Sequence, residues 1–106
     1  MKGIAPPEVY RAIDRRFPEG LEKTRQLLRQ PSVSATGEGI AECAEMVRSA
    51  LAELGCRTKL YSKGGHPLVV GDLDVGAETT LVEYEMYDVQ PVGDLAAWRS
   101  PPFAAE

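Results

Sequence analysis

Residues 84–92 hold the side chains best suited to chemistry, because carboxylates and a methionine lie together just before a proline-rich tail. Carboxylates are the donors that hard or borderline cations prefer. If this segment is a strand, side chains alternate, so Met86 and Asp88 share one face and Glu85 points to the other, unless a bulge turns it around. The acidic residues are therefore candidate cation ligands, and an ordinary solvated acidic surface is the alternative.

The charge balance is uneven along the chain and excludes some classes of partner. Residues 1–63 hold 11 basic and 8 acidic side chains, whereas residues 64–106 hold one basic residue, Arg99, and 8 acidic ones. A nucleic-acid binder needs a coherent basic face with aromatic platforms. Here the basic residues alternate with acids on surfaces that resemble solvated helices. We therefore predict no nucleic-acid partner.

The apolar patterning predicts a cytoplasmic protein without membrane contact. The apolar stretches are a few residues long, far below the ~18 needed to span a bilayer, and the start of the chain lacks the apolar region of a signal peptide. The two cysteines, Cys43 and Cys56, match neither a metal pattern nor a disulfide framework, which favours a reducing compartment. Cys43 lies on an apolar helix face and Cys56 begins a strand, so both are interpreted as core residues.

The elements that would position the acidic segment follow from periodicity and from prolines and glycines. We predict a first helix from Pro7 that stops at Pro18, and a second that ends before Pro31. After a polar loop over 32–37, apolar residues at three- and four-residue spacing predict a helix over 38–54, with Thr36 as its cap and a left-handed glycine at its end. Strands are predicted over 56–62, 68–73 and 79–87, which indicates an α/β or α+β layer. His66, in the turn over 63–67, is interpreted as a solvated residue.

The C-terminal segment 89–106 does not fit a complete compact domain. It reads as a long proline-rich loop that carries Trp98 and Phe103, and loops of this length without internal structure are uncommon. We therefore expect the chain to be part of a larger enzyme.

Several segments together resemble peptidase family M20, from about residue 18 to the last residue. They are the run Tyr87-Asp88-Val89-Gln90-Pro91-Val92 with the following Trp98 and Pro102-Phe103, the run Pro31-Ser32-Val33-Ser34, and the helix 38–54. The family includes aminoacylases, acetylornithine and succinyl-diaminopimelate deacylases, carboxypeptidase G and cytosolic dipeptidases. The resemblance implies an α/β fold, the N-terminal portion of a zinc-peptidase-like catalytic domain with helices packed on a mixed sheet. Residues 1–106 would be its incomplete N-terminal part, and the rest of the chain would supply the general base and the remaining metal ligands.

The sequence departs from the family at the metal motif. Family members usually have Gly-His-Tyr-Asp, in which the His binds one of two metals and the Asp orients that imidazole; here the run is Glu85-Met86-Tyr87-Asp88. Asp88 matches the catalytic position, Met86 occupies the ligand position, and Glu85 is a possible oxygen-donor substitute. A thioether is a poor donor for Zn²⁺ or Mn²⁺. The resemblance thus implies one divalent ion, weakly bound, in a working enzyme; a degenerate or engineered relative is the other explanation.

The function that the resemblance implies is hydrolysis of a carbon–nitrogen bond by metal-activated water. The small-molecule substrate would be a peptide, an N-acyl amino acid, or an amino-aromatic acid such as nitroanthranilate, and the enzyme is expected to be a homo-oligomer. The alternative is an inactive homologue that serves as an interaction subunit.

Overall fold

The computed structural model describes residues 5–106. The first four residues lie outside this range, and the prediction that the start of the chain is not a signal peptide falls partly on them. The described chain contains helix α1 (Pro7–Arg29), helix α2 (Ile40–Glu53), strands β1 (Arg57–Tyr61) and β2 (Leu68–Asp72), and a 3-10 helix (Leu95–Ala97). No helix within residues 5–106 has both the length and the apolar content needed to cross a bilayer.

Helix α1 is continuous, so the predicted break at Pro18 is wrong. Proline removes one main-chain hydrogen bond inside a helix and crowds the carbonyl four residues earlier, that of Asp14. Asp14 is exposed, so water can reach the released carbonyl, and the apolar stripe of Ile13, Phe17 and Leu21 runs past the proline without interruption. The helix ends at Arg29 as expected, because a residue before proline favours extended backbone.

Helix α1 buries none of its side chains, whereas α2 forms the small core. The buried apolar residues are Val33, Ile40, Cys43 and Ala44. Helix α2 begins two residues later than predicted because Gly39, with φ of 68°, is its N-cap. The predicted cap, Thr36, instead accepts a hydrogen bond from the amide of Glu38 in the preceding turn, at 3.2 Å.

Strands β1 and β2 pair antiparallel, from Arg57 opposite Asp72 to Tyr61 opposite Leu68, and both pack on α2. Their bounds match the predicted strands to within two residues. Gly71 faces α2 so closely that a β-carbon there would lie 3.0 Å from Leu51 Cδ1. The helix-on-sheet layer confirms the α/β fold class.

The predicted third strand, 79–87, is not part of a sheet within the described residues. Its apolar side chains before Tyr87 are largely exposed; Leu81 is 89% and Val82 is 83% exposed. A strand forms only beside a neighbour, and here the sole pairing lies just beyond, where Val89 makes a parallel bridge to Val33. Apolar residues on both faces are typical of a strand that helices cover on both sides of a parallel sheet.

The C-terminal segment has more local structure than the predicted loop. Asp94 caps the 3-10 helix by accepting a hydrogen bond from the amide of Ala96 at 2.9 Å. The indole of Trp98 donates to the carbonyl of Val92 at 2.8 Å. Trp98 is nevertheless 47% exposed, so this segment adds little to the core.

Candidate functional site

The candidate site lies where the loop 31–34 runs parallel to residues 87–89. The amide of Val89 donates to the carbonyl of Ser32 at 2.9 Å, and the amide of Ser34 donates to the carbonyl of Val89 at 3.3 Å. These two bonds are the start of a parallel ladder between segments far apart in sequence. They fix the main chain on the C-terminal side of Asp88.

The side chain of Ser32 fixes the main chain on the other side of Asp88. Ser32 is 3% exposed, and its hydroxyl donates to the carbonyl of Tyr87 at 2.9 Å. A buried hydroxyl is tolerated at little cost only when it is hydrogen-bonded, as it is here. Asp88 is therefore held between two anchored neighbours.

Tyr87 ties the site to the turn between β1 and β2. Its ring is half-buried, and its hydroxyl donates to the carbonyl of Pro67 at 2.6 Å. Burial raises the pKa of the Tyr87 phenol, and the nearby ionisable groups of Cys43 and Asp88 raise it further. Tyr87 is therefore a neutral hydrogen-bond donor at neutral pH.

Cys43 lies behind the site as a buried thiol in the first turns of α2. Its sulfur is 4.0 Å from the carbonyl oxygen of Tyr87, a weak contact. Burial raises the pKa of the Cys43 thiol, while a hydrogen bond with Ser32 acts in the opposite direction. A buried neutral thiol is a poor nucleophile, which agrees with the interpretation of Cys43 as a core residue.

His66 is exposed in the turn, as predicted, but it is not simply solvated. Its Nε2 lies 2.8 Å from the carbonyl oxygen of Ser34, so this nitrogen carries the proton of the hydrogen bond. Together with the Tyr87–Pro67 bond, it attaches the turn to both segments of the site. No pattern in the sequence indicates these links, since each joins residues at least 20 positions apart.

The three residues named by the resemblance lie along one recess of about 340 Å³. Glu85, Met86 and Asp88 line it, with apolar walls from Leu27, Val47, Leu68 and Val69 and two tyrosines, Tyr84 and Tyr87. Met86 is 76% exposed, and Glu85 and Asp88 are exposed as well. The carboxylate of Asp88 forms no ion pair within residues 5–106. It is therefore available to a group outside these residues.

The donors in this recess do not make a metal site by themselves. Residues 5–106 contain no cluster of three or more His, Cys, Asp or Glu side chains that could hold a metal ion. Met86 offers only a thioether where the family has an imidazole, and the one histidine, His66, is engaged with Ser34. Any metal would need ligands from beyond these residues.

Relatives of the chain include a curated enzyme and a solved structure, although no family model matches. Succinyl-diaminopimelate desuccinylase 2 of Shewanella loihica is 32% identical over 82 residues, which are 76% of this chain and 20% of that protein. An M20 family metallo-carboxypeptidase of Sulfolobus solfataricus is 40% identical with a TM-score of 0.78, over 81% of this chain and 20% of that one. The chain spans about a fifth of the length of these relatives.

Proposed function

We propose that this chain belongs to the M20 peptidase family and that its residues 1–106 form the N-terminal part of the catalytic domain of a metal-dependent hydrolase. The observation that carries the proposal is the anchored main chain around Asp88. The loop 31–34 and the segment 87–89 belong to two of the runs that resemble the family, and they are hydrogen-bonded to each other. The rest of the chain would supply the remaining sheet and the other groups of the active site.

We propose Asp88 as the catalytic residue of this part of the domain. Asp88 is exposed and lines the recess, so a ligand can reach its side chain. Its main chain is held by hydrogen bonds on both sides, which limits the directions that the carboxylate can take. A carboxylate in this place can accept a hydrogen bond from water, from a substrate amine, or from an imidazole supplied by another segment. The proposal assigns no metal-dependent step to residues 5–106, because their donors do not form a metal site.

The proposed substrates are N-acyl amino acids or peptides with a free carboxylate. The names of the two relatives, a succinyl-diaminopimelate desuccinylase and a metallo-carboxypeptidase, refer to an N-acyl amino acid and to peptides, and they support this proposal. Neither name refers to an amino-aromatic acid such as nitroanthranilate, and that substrate class stays a prediction. A single, weakly bound Zn²⁺ or Mn²⁺, a homo-oligomeric state and a cytoplasmic location also stay predictions.

The test is an assay of the complete protein with added Zn²⁺ or Mn²⁺. Three substrates are compared: N-succinyl-diaminopimelate, a dipeptide and nitroanthranilate. We expect release of the acyl or amino-acid product, and we expect Asp88→Asn to lower turnover by at least ~100-fold, because the substitution keeps the shape and removes the charge. Asp74→Asn is the matched control, since Asp74 is an exposed carboxylate in a turn outside the recess.

The alternative function, an inactive interaction subunit, makes a different prediction in the same assay. A folded protein that turns over none of the three substrates with either metal would support it. Full activity of Asp88→Asn would show instead that the enzyme works without this carboxylate, and would remove Asp88 from the proposal.

A further inference from the structure

We infer that Ser32 is a positioning residue, which sets the direction of the Asp88 carboxylate through the peptide group between residues 87 and 88. The inference rests on the proposed function of Asp88 and adds to it a second residue from a distant loop. The hydrogen bonds that join Ser32 to this segment go to the main chain of Tyr87 and Val89, the two neighbours of Asp88. Its effect on Asp88 is therefore carried by the main chain.

The hydrogen bonds of Ser32 lie on both sides of Asp88. Its hydroxyl holds the carbonyl of Tyr87 at 2.9 Å, and its own carbonyl holds the amide of Val89 at 2.9 Å. The first bond depends on the side chain and the second depends only on the main chain. A substitution at position 32 can therefore remove one and leave the other in place.

If the Ser32 hydroxyl is removed, the carbonyl of Tyr87 loses its good hydrogen-bond donor and has only a weak one to replace it. Without the hydroxyl, the remaining neighbour is the thiol of Cys43 at 4.0 Å, and a thiol is a weak donor. The peptide group between residues 87 and 88 is then free to rotate, while the bond at Val89 still holds the far side. Because the Cα of Asp88 belongs to that peptide group, rotation changes the direction of the carboxylate relative to the recess that Asp88 lines.

Three substitutions in the complete enzyme separate positioning from general stability. Ser32→Ala removes the hydroxyl and Ser32→Thr keeps it. Ser49→Ala is the control, since Ser49 is an exposed serine on α2 that does not line the recess. We expect Ser32→Ala to lower kcat about 10-fold with KM within about twofold, the size of effect seen when a group that orients a site residue is lost. Ser32→Thr and Ser49→Ala should retain most of the wild-type kcat.

A double-mutant cycle with Asp88→Asn identifies the residue through which Ser32 acts. If Ser32 acts by orienting the Asp88 carboxylate, Ser32→Ala causes little further loss of kcat in the Asp88→Asn background. A loss of the same size in both backgrounds would overturn the inference. So would a wild-type kcat in Ser32→Ala, or a failure of Ser32→Thr to restore kcat while the protein stays folded.

Crystal structures of wild type and Ser32→Ala give a result that does not depend on turnover. We expect the Asp88 carboxylate to change direction while the hydrogen bond between the Val89 amide and the Ser32 carbonyl persists. An Asp88 carboxylate in the same place in both structures would overturn the inference. An inactive wild-type protein would overturn the proposed function, and the two structures would still decide whether Ser32 sets the direction of Asp88.

Discussion

Replacing Gly39 by alanine should disrupt the site loop from a position that does not line the recess. Gly39 has φ of 68°, and a β-carbon there would lie 2.0 Å from the carbonyl oxygen of Pro31 and 2.8 Å from Nε2 of Gln30. Atoms cannot approach so closely, so either Pro31 or the start of α2 must move by more than about 1 Å to restore ordinary van der Waals separation. Pro31 directly precedes Ser32, and the displacement therefore reaches the hydrogen bonds that Ser32 makes on both sides of Asp88.

Gly37→Ala is the matched control for this effect. Gly37 has φ of 78°, but a β-carbon there would meet only Cε1 of His66 at 3.8 Å, an ordinary contact. Both variants carry the cost of a left-handed alanine, about 1–2 kcal/mol. Only Gly39→Ala adds overpacking, which costs about 1–3 kcal/mol and occasionally more. We expect a loss of about 1–2 kcal/mol for Gly37→Ala and of about 3 kcal/mol or more for Gly39→Ala.

Urea denaturation of the complete protein, followed by tryptophan fluorescence, measures both losses under the same conditions. Turnover of the folded fraction is measured beside it, and we expect it to fall in Gly39→Ala and to stay near wild type in Gly37→Ala. Equal losses of stability in the two variants would refute the argument, because they would show that the close approach to Pro31 has no energetic consequence.

Three further predictions follow from the exposed surfaces and the buried thiol. The isolated 106-residue chain should show no cooperative melt by circular dichroism, since its radius of gyration is 16.9 Å against about 13 Å for a compact domain of this length; a sharp monomeric transition would contradict this. Met86→His should raise the metal content measured by elemental analysis, with Met46→His on α2 as control; two tightly bound ions in wild type would contradict the premise. Because burial raises the pKa of Cys43, the contribution of this thiol to the stability of the complete protein should be complete below about pH 8.5, the ordinary thiol value, and should be lost as pH rises through the folded-state pKa. Cys43→Ala should flatten that slope in denaturation experiments from pH 7 to 10, and an unchanged slope would exclude Cys43 as its cause.

The local elements could be predicted from sequence because their signals are local. The three- and four-residue spacing of Ile40, Cys43 and Val47 identifies α2, and alternation identifies both strands of the hairpin. The prediction failed at Pro18, where an exposed helix tolerates a proline that a buried helix would not. It also failed over 79–87, where the apolar pattern is that of a strand but the described residues offer it no neighbour.

The site was predicted only in part, for a similar reason. The resemblance singled out Asp88 and Met86 because those positions belong to a contiguous run. Two of the residues that hold this run in place act across the fold: Ser32 is hydrogen-bonded to Tyr87 directly, whereas His66 is bonded to Ser34 of the neighbouring loop. A serine in a polar loop and a histidine in a turn have many uses, and neither their types nor their spacing indicates such a partner.

The attachment of the hairpin turn to Tyr87 has a consequence for the order of folding. Ser32 and Tyr87 are 55 residues apart, whereas Pro67 and Tyr87 are 20 apart. Once α2 and the hairpin have formed and His66 has reached Ser34, only the shorter loop remains to be closed, and its closure costs about 1 kcal/mol less than that of the longer one. We therefore expect α2 and the hairpin to form first and the Asp88 segment to pack against the hairpin turn last. In partial unfolding the Asp88 segment would be the first to detach, so the proposed activity would be lost while α2 and the hairpin are still folded.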